Sequence, residues 1–252
     1  MRPLPALLLL ISLACPLQAH AALKLENRAD PDNAETRALI TRLEDVLART
    51  EKRIREVFGI KLDMKAVVGP SKEDYDFLFR PPERSGDAKQ AGVLLINSRV
   101  VRNYPIEDLK IAAGRALYQA VWPKFRKSTA SAPVMVQRIY DAGMTAYAAN
   151  LLYPGAPPWK YAGLYGSEGR EQYRQYLSKE KDLAQEALQA PSSGTAGELD
   201  ASGRLLNYRL MKTFKKDLDP KMIQLMGITE FERRLPGGLD ALKQGFRRGD
   251  GI

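Results

Sequence analysis

A change of hydrophobic period near residue 59 constrains the fold more than any other feature of the chain. Before it, Leu39, Leu43, Val46/Leu47, Ile54 and Val57/Phe58 recur at helical spacing. That spacing predicts one amphipathic helix over 34–58, with Asn33 as its cap and Gly59 as its stop. After it, Ile60, Leu62, Met64, Ala66 and Val68 alternate with Lys61, Asp63 and Lys65, the pattern of a half-buried strand. Residues 92–97 read as a second strand. Between the two strands, 72–79 reads as a short helical stretch and 80–86, with Pro81, Pro82 and Gly86, as a turn-rich segment. The polar residues 24–33 read as a lead-in. Beyond Pro105 the pattern is helical throughout, over 106–122, 132–152, 168–189, 202–217, 220–226 and 238–247, with a flexible loop at about 191–201. The expected class is therefore α+β and mostly α: a small N-terminal sheet packed on helices, followed by a helical C-terminal body. With 44% hydrophobic residues the chain can bury a real core, as one domain over 22–252.

The chemistry is limited by two counts. The sequence holds one His and one Cys, His20 and Cys15, and both lie in the first 21 residues. Those residues read as a secretory signal: Arg2 gives the positive end, Leu4 to Ala14 the short apolar run, and Ala19-His20-Ala21 an A-x-A cleavage pattern. Cleavage after Ala21 leaves a chain without histidine or cysteine, exported to the periplasm or secreted. An alternative takes Ser12-Leu13-Ala14-Cys15 as a lipoprotein box anchored at Cys15. No later segment is apolar for long enough to span a membrane. Histidine ligands, a histidine base, a disulfide and a cysteine nucleophile all lose their raw material, and no cofactor is expected.

Other chemistry leaves few marks. Paired carboxylates of the kind a hydrolase uses are sought among Glu107-Asp108, Asp141 and Glu198/Asp200. No phosphate-binding glycine loop and no nucleophile elbow occurs, and 163–169 reads as a loop leading into a helix cap. Aromatic residues gather in one stretch, Tyr140 to Tyr165, with Tyr118 and Trp122 on the helix before it. Within it Tyr147 and Trp159 are candidate cleft contacts, and Trp159, after Pro157-Pro158, is the candidate for an exposed one. Loss of Arg2 with the leader lowers the formal charge from +9 to +8. In an envelope compartment that suits an anionic polymer or lipid headgroup; no nucleic-acid module is present.

The order of elements resembles the zinc metallopeptidases of the gluzincin type, in which a small sheet precedes a helix carrying HExxH and a second helix supplies a glutamate ligand. The matching first helix here is Leu109-Lys110-Ile111-Ala112-Ala113-Gly114-Arg115-Ala116-Leu117-Tyr118. The second is Tyr140-Asp141-Ala142-Gly143-Met144-Thr145-Ala146-Tyr147, similar to the family's E-G-L-A-x-Y stretch. The resemblance spans roughly residues 36–247 and implies a zincin-like fold. It puts Gly114 and Tyr118 at the two histidine positions, Arg115 at the glutamate that polarises water, and Ala142 at the third ligand. None of these can hold zinc. The resemblance thus implies a pseudopeptidase that binds a peptide, a glycan or an anionic envelope component, with Gly114, Tyr118 and Ala142 converging on a vacated site beside Arg115. The alternative is an envelope hydrolase working through carboxylates.

Overall fold

The computed structural model describes residues 23–30, 33–81, 92–125, 134–175, 208–210, 212–213 and 228–247. The N-terminal third alternates strand and helix as its period dictates. Strand β1 (Leu25–Asn27) leads into α1 (Ala34–Phe58), followed by β2 (Met64–Gly69), β3 (Phe77–Arg80) and β4 (Gly92–Asn97). Asn33 Oδ1 accepts the amides of Glu35 and Thr36 at 2.8 and 3.2 Å, satisfying two donors the first helical turn leaves open. At the other end Gly59 adopts φ 70° and its N–H returns to Arg55 O, a left-handed cap that only glycine takes without strain.

The sheet order is β1-β2-β4-β3. β1, β2 and β4 run parallel, while β3 is an antiparallel outer strand pairing Phe77 with Ile96 and Arg80 with Val93. Ala66 and Val68 on β2 and Leu94 and Ile96 on β4 meet the α1 stripe of Leu39, Leu43, Val46, Leu47 and Ile54 in one continuous core. At the end of β4 the buried Asn97 side chain accepts from Ser71 and Arg99 amides and donates to Glu73 O, so it caps the short helix α2 (Ser98–Val101) and fixes the 71–73 segment.

Helix α3 (Ile106–Phe125) is the centre of the molecule. It packs on α1, on β3 and β4, and on α4 (Val134–Leu152), which explains why its sequence is apolar almost all round. A short helix α5 (Pro158–Tyr161) follows, and residues 169–175 are helical. Helix α6 (Ile228–Arg247) closes the described body, setting Phe231, Leu235 and Leu239 into the core, with Phe231 5.1 Å from the Tyr140 ring. No helix among the described residues is long and apolar enough to cross a membrane.

Several expectations are corrected. The lead-in contains β1, a three-residue edge strand held by parallel pairing to β2 rather than by its own hydrophobicity. The first core strand begins at Met64, not Ile60. The segment expected as helix over 72–79 turns through bends into β3, because Phe77 and Phe79 gain a partner strand 15 or more residues away that local spacing does not show. The last helix starts at Ile228 and continues through Pro236, ten residues earlier than expected. The loop at 191–201 and the helix at 220–226 lie outside the described residues, as does the leader.

Candidate functional site

The face of α3 bearing Gly114 and Tyr118 is covered, not open. A Cβ on Gly114 would lie 3.3–3.4 Å from Tyr153 and Leu152, so the glycine lets the end of α4 approach closely. Tyr118 has no exposure, and its ring packs 4.9 Å from Phe58 at the end of α1. Ala142 is half-buried on α4, ten residues before Leu152, a separation of about 15 Å by helical rise. The nearest neighbours of Gly114 are therefore the C-terminal residues of α4 rather than Ala142. Tyr147 is a core residue with 1% exposure, and not a cleft contact; a large ring on the inner face of α4 stabilises most when fully covered. Trp159 is half-buried rather than exposed, its ring 5.5 Å from that of Tyr173 in a small cluster with Ala162 and Leu164.

The accessible polar side chains of this stretch are one position further on. Arg115 is partly accessible and Gln119 exposed, i and i+4 on one face of α3. The Arg115 Nη1 donates to the Tyr165 hydroxyl at 3.0 Å, while its Nε is shut off from solvent without a partner among the described residues. The guanidinium lies directly on Gly163, occupying the place where a Cβ would be, and Gly163 has φ 91°. The Tyr104 and Tyr165 rings stand 5.0 Å apart beside it. Burial works against the Arg115 charge, but the Tyr165 phenol and Asp76 more than offset it and hold the guanidinium cationic above its ordinary range. Burial, with Asp76 next, pushes the Tyr104 phenol up strongly.

Asp108, seven residues or about two turns before Arg115, is 1% exposed. Its Oδ1 meets Lys160 Nζ at 2.5 Å and its Oδ2 accepts the Gly166 amide at 3.0 Å. Its neighbour Glu107 points elsewhere, to Lys110 at 2.8 Å on the exposed side. Consecutive helical residues diverge by about 100°, and these two carboxylates do not face each other. Asp141 is half-buried on α4, and Glu198 and Asp200 lie outside the described residues. Among the described residues no three His, Cys, Asp or Glu side chains are grouped to hold a metal.

No family model, curated protein or solved structure matches the chain significantly.

The sequence pointed to Arg115 but not to its surroundings. Its partners Tyr165 and Gly163 lie about fifty residues downstream, and the Asp76 charge acting on it stands just before a strand the local pattern conceals. The one available signal was the pair of glycines at 163 and 166, both with positive φ in the folded chain.

Proposed function

We propose that the protein is an exported, non-catalytic binding protein on a metallopeptidase-like frame, and that it holds an extended peptide carrying an acidic group. The observation that carries this reading is the fixed Arg115 guanidinium at the accessible side of α3, where the resembling family polarises water with a glutamate. A cation at that position repels a metal ion and attracts a carboxylate. Two features support the peptide. The antiparallel strand β3 packs on α3, and among the described residues nothing pairs with its outer edge, so an added strand can take its main-chain hydrogen bonds there. Asp76, immediately before β3, already acts electrostatically on Arg115, which puts the strand and the cation in one neighbourhood.

Gly114 and Tyr118 belong to the packing between helices, and Arg115 with Gln119 forms the i, i+4 pair facing outward. The test is fluorescence anisotropy with labelled ten-residue peptides, acidic and neutral, alongside hydrolysis assays with added zinc. Saturable binding of acidic peptides, weakened about tenfold by Arg115→Gln and less by Arg115→Lys, with no cleavage, is the expected result. Chelator-sensitive cleavage by the purified chain overturns it.

A further inference from the structure

A second site lies on the neighbouring face of α3. Helix α1, helix α3 and the 153–160 segment enclose an open groove of about 820 Å³. Five cations border it: Arg49, Lys52 and Arg53 from α1, Lys110 from α3 and Lys160 from α5. Two carboxylates, Glu56 and Glu107, stand against them. The excess is not an accident of a basic chain, because the cations come from three separate elements and meet on one concavity.

The pairing within the groove decides what the excess can do. Arg49 reaches Asp45 at 2.7 Å, Lys110 reaches Glu107 at 2.8 Å, and Lys52 stands 3.8 Å from Glu56. Lys160 is anchored from behind by the buried Asp108. Arg53 alone has no carboxylate partner among the described residues. Its guanidinium lies 5.1 Å from the centre of the Tyr153 ring, a cation–π placement. That ring is itself fixed, its hydroxyl 2.6 Å from Thr50 Oγ1 of α1. The groove thus holds one pre-positioned guanidinium whose donors are uncommitted among the described residues, beside the anchored Lys160 and three cations whose exposed partners are weakly held and readily exchanged.

We infer that this groove binds a ligand carrying several phosphate groups. A single carboxylate cannot engage cations spread over three elements, whereas linked phosphates present repeated charge and several acceptor oxygens each, matched by an arginine fork and surrounding ammonium groups. The site is independent of the peptide edge at β3 and stands if that reading fails. Phosphate of this kind occurs as a soluble polyphosphate or as lipid headgroups, and the experiment separates the two.

The full chain is titrated by calorimetry with inorganic tripolyphosphate, with citrate as a polycarboxylate control, and co-sedimented with phosphatidylglycerol vesicles. Saturable tripolyphosphate binding is expected, at least tenfold tighter than citrate. It should weaken about tenfold in Arg53→Gln and about threefold in Lys110→Gln, and stay within twofold in Arg174→Gln, an exposed arginine away from the groove. Vesicle binding that competes with tripolyphosphate and also falls in Arg53→Gln assigns the headgroup source; tripolyphosphate binding without vesicle binding assigns the soluble one. Absence of saturable binding to both probes overturns the site. So does equal weakening by Arg174→Gln and Arg53→Gln, or citrate binding as tightly as tripolyphosphate. Circular dichroism on each variant confirms that losses are not due to unfolding.

Discussion

Two neighbouring faces of α3 use charge in opposite ways. On one, Asp108 is set into protein, almost wholly covered by Lys160 and the Gly166 amide, and Arg115 keeps only part of its surface in water, its guanidinium resting on Gly163 and bonding Tyr165. On the other, Lys110 with Glu107, Arg49 with Asp45 and Lys52 with Glu56 form pairs open to water, and Arg53 has no carboxylate partner among the described residues. Glu107 and Asp108 are adjacent in sequence, yet they belong to different faces. The contrast teaches that what a charge contributes here is decided by its cover. Where water is excluded, losing one partner strands the other, and the fold depends on both. Where water remains, the same pairing is worth little to stability, and the groups are free to meet a ligand.

The comparison breaks most visibly at Gly163. Gly163→Ala puts a methyl into the space of the Arg115 guanidinium at a backbone angle that L residues rarely adopt, and should cost about 3 kcal/mol, read as a lowered midpoint in urea. Asp108→Asn keeps the shape and the Gly166 contact but leaves Lys160 without its counter-charge. A loss of about 2 kcal/mol is expected in the same measurement. On the wet face, Glu56→Gln removes the 3.8 Å partner of Lys52 and should change stability by less than about 0.5 kcal/mol. If Glu56→Gln proved as damaging as Asp108→Asn, the distinction between the faces would be wrong.

The parts of the fold legible in the sequence are those governed by local spacing. Helix α1 matches its expected bounds at both ends, because its stripe, its Asn33 cap and its Gly59 stop are all local signals. β4, α3 and α4 also fall where the apolar pattern places them. β1 and β3 were hidden for one reason: each is a short edge strand whose stability comes from a partner distant in sequence. The candidate site shows the same limit. Arg115 could be picked out by its position among small residues, but which face of α3 remained accessible depended on Phe58, Leu152 and Tyr153 closing over Gly114 and Tyr118. Side-chain periodicity marks a helix as buried on several sides; it does not say which neighbour covers which side.

The contact between Thr50 and Tyr153 has a consequence for the order in which the molecule is made. The two residues are 103 positions apart, and their contact fixes the Tyr153 ring that lines the α1–α3 groove. A chain emerging from the N-terminus can wind α1 and pair its first strands early, since those contacts span short stretches. The groove lacks its 153–160 wall until about a hundred further residues have been synthesised and α4 has folded back, and closing so long a loop is slow compared with local structure. During that interval the buried hydroxyl of Thr50 and the apolar stripe beside it stand uncovered. A nascent chain halted between residues 97 and 153 would have its strands without the groove's Tyr153 wall.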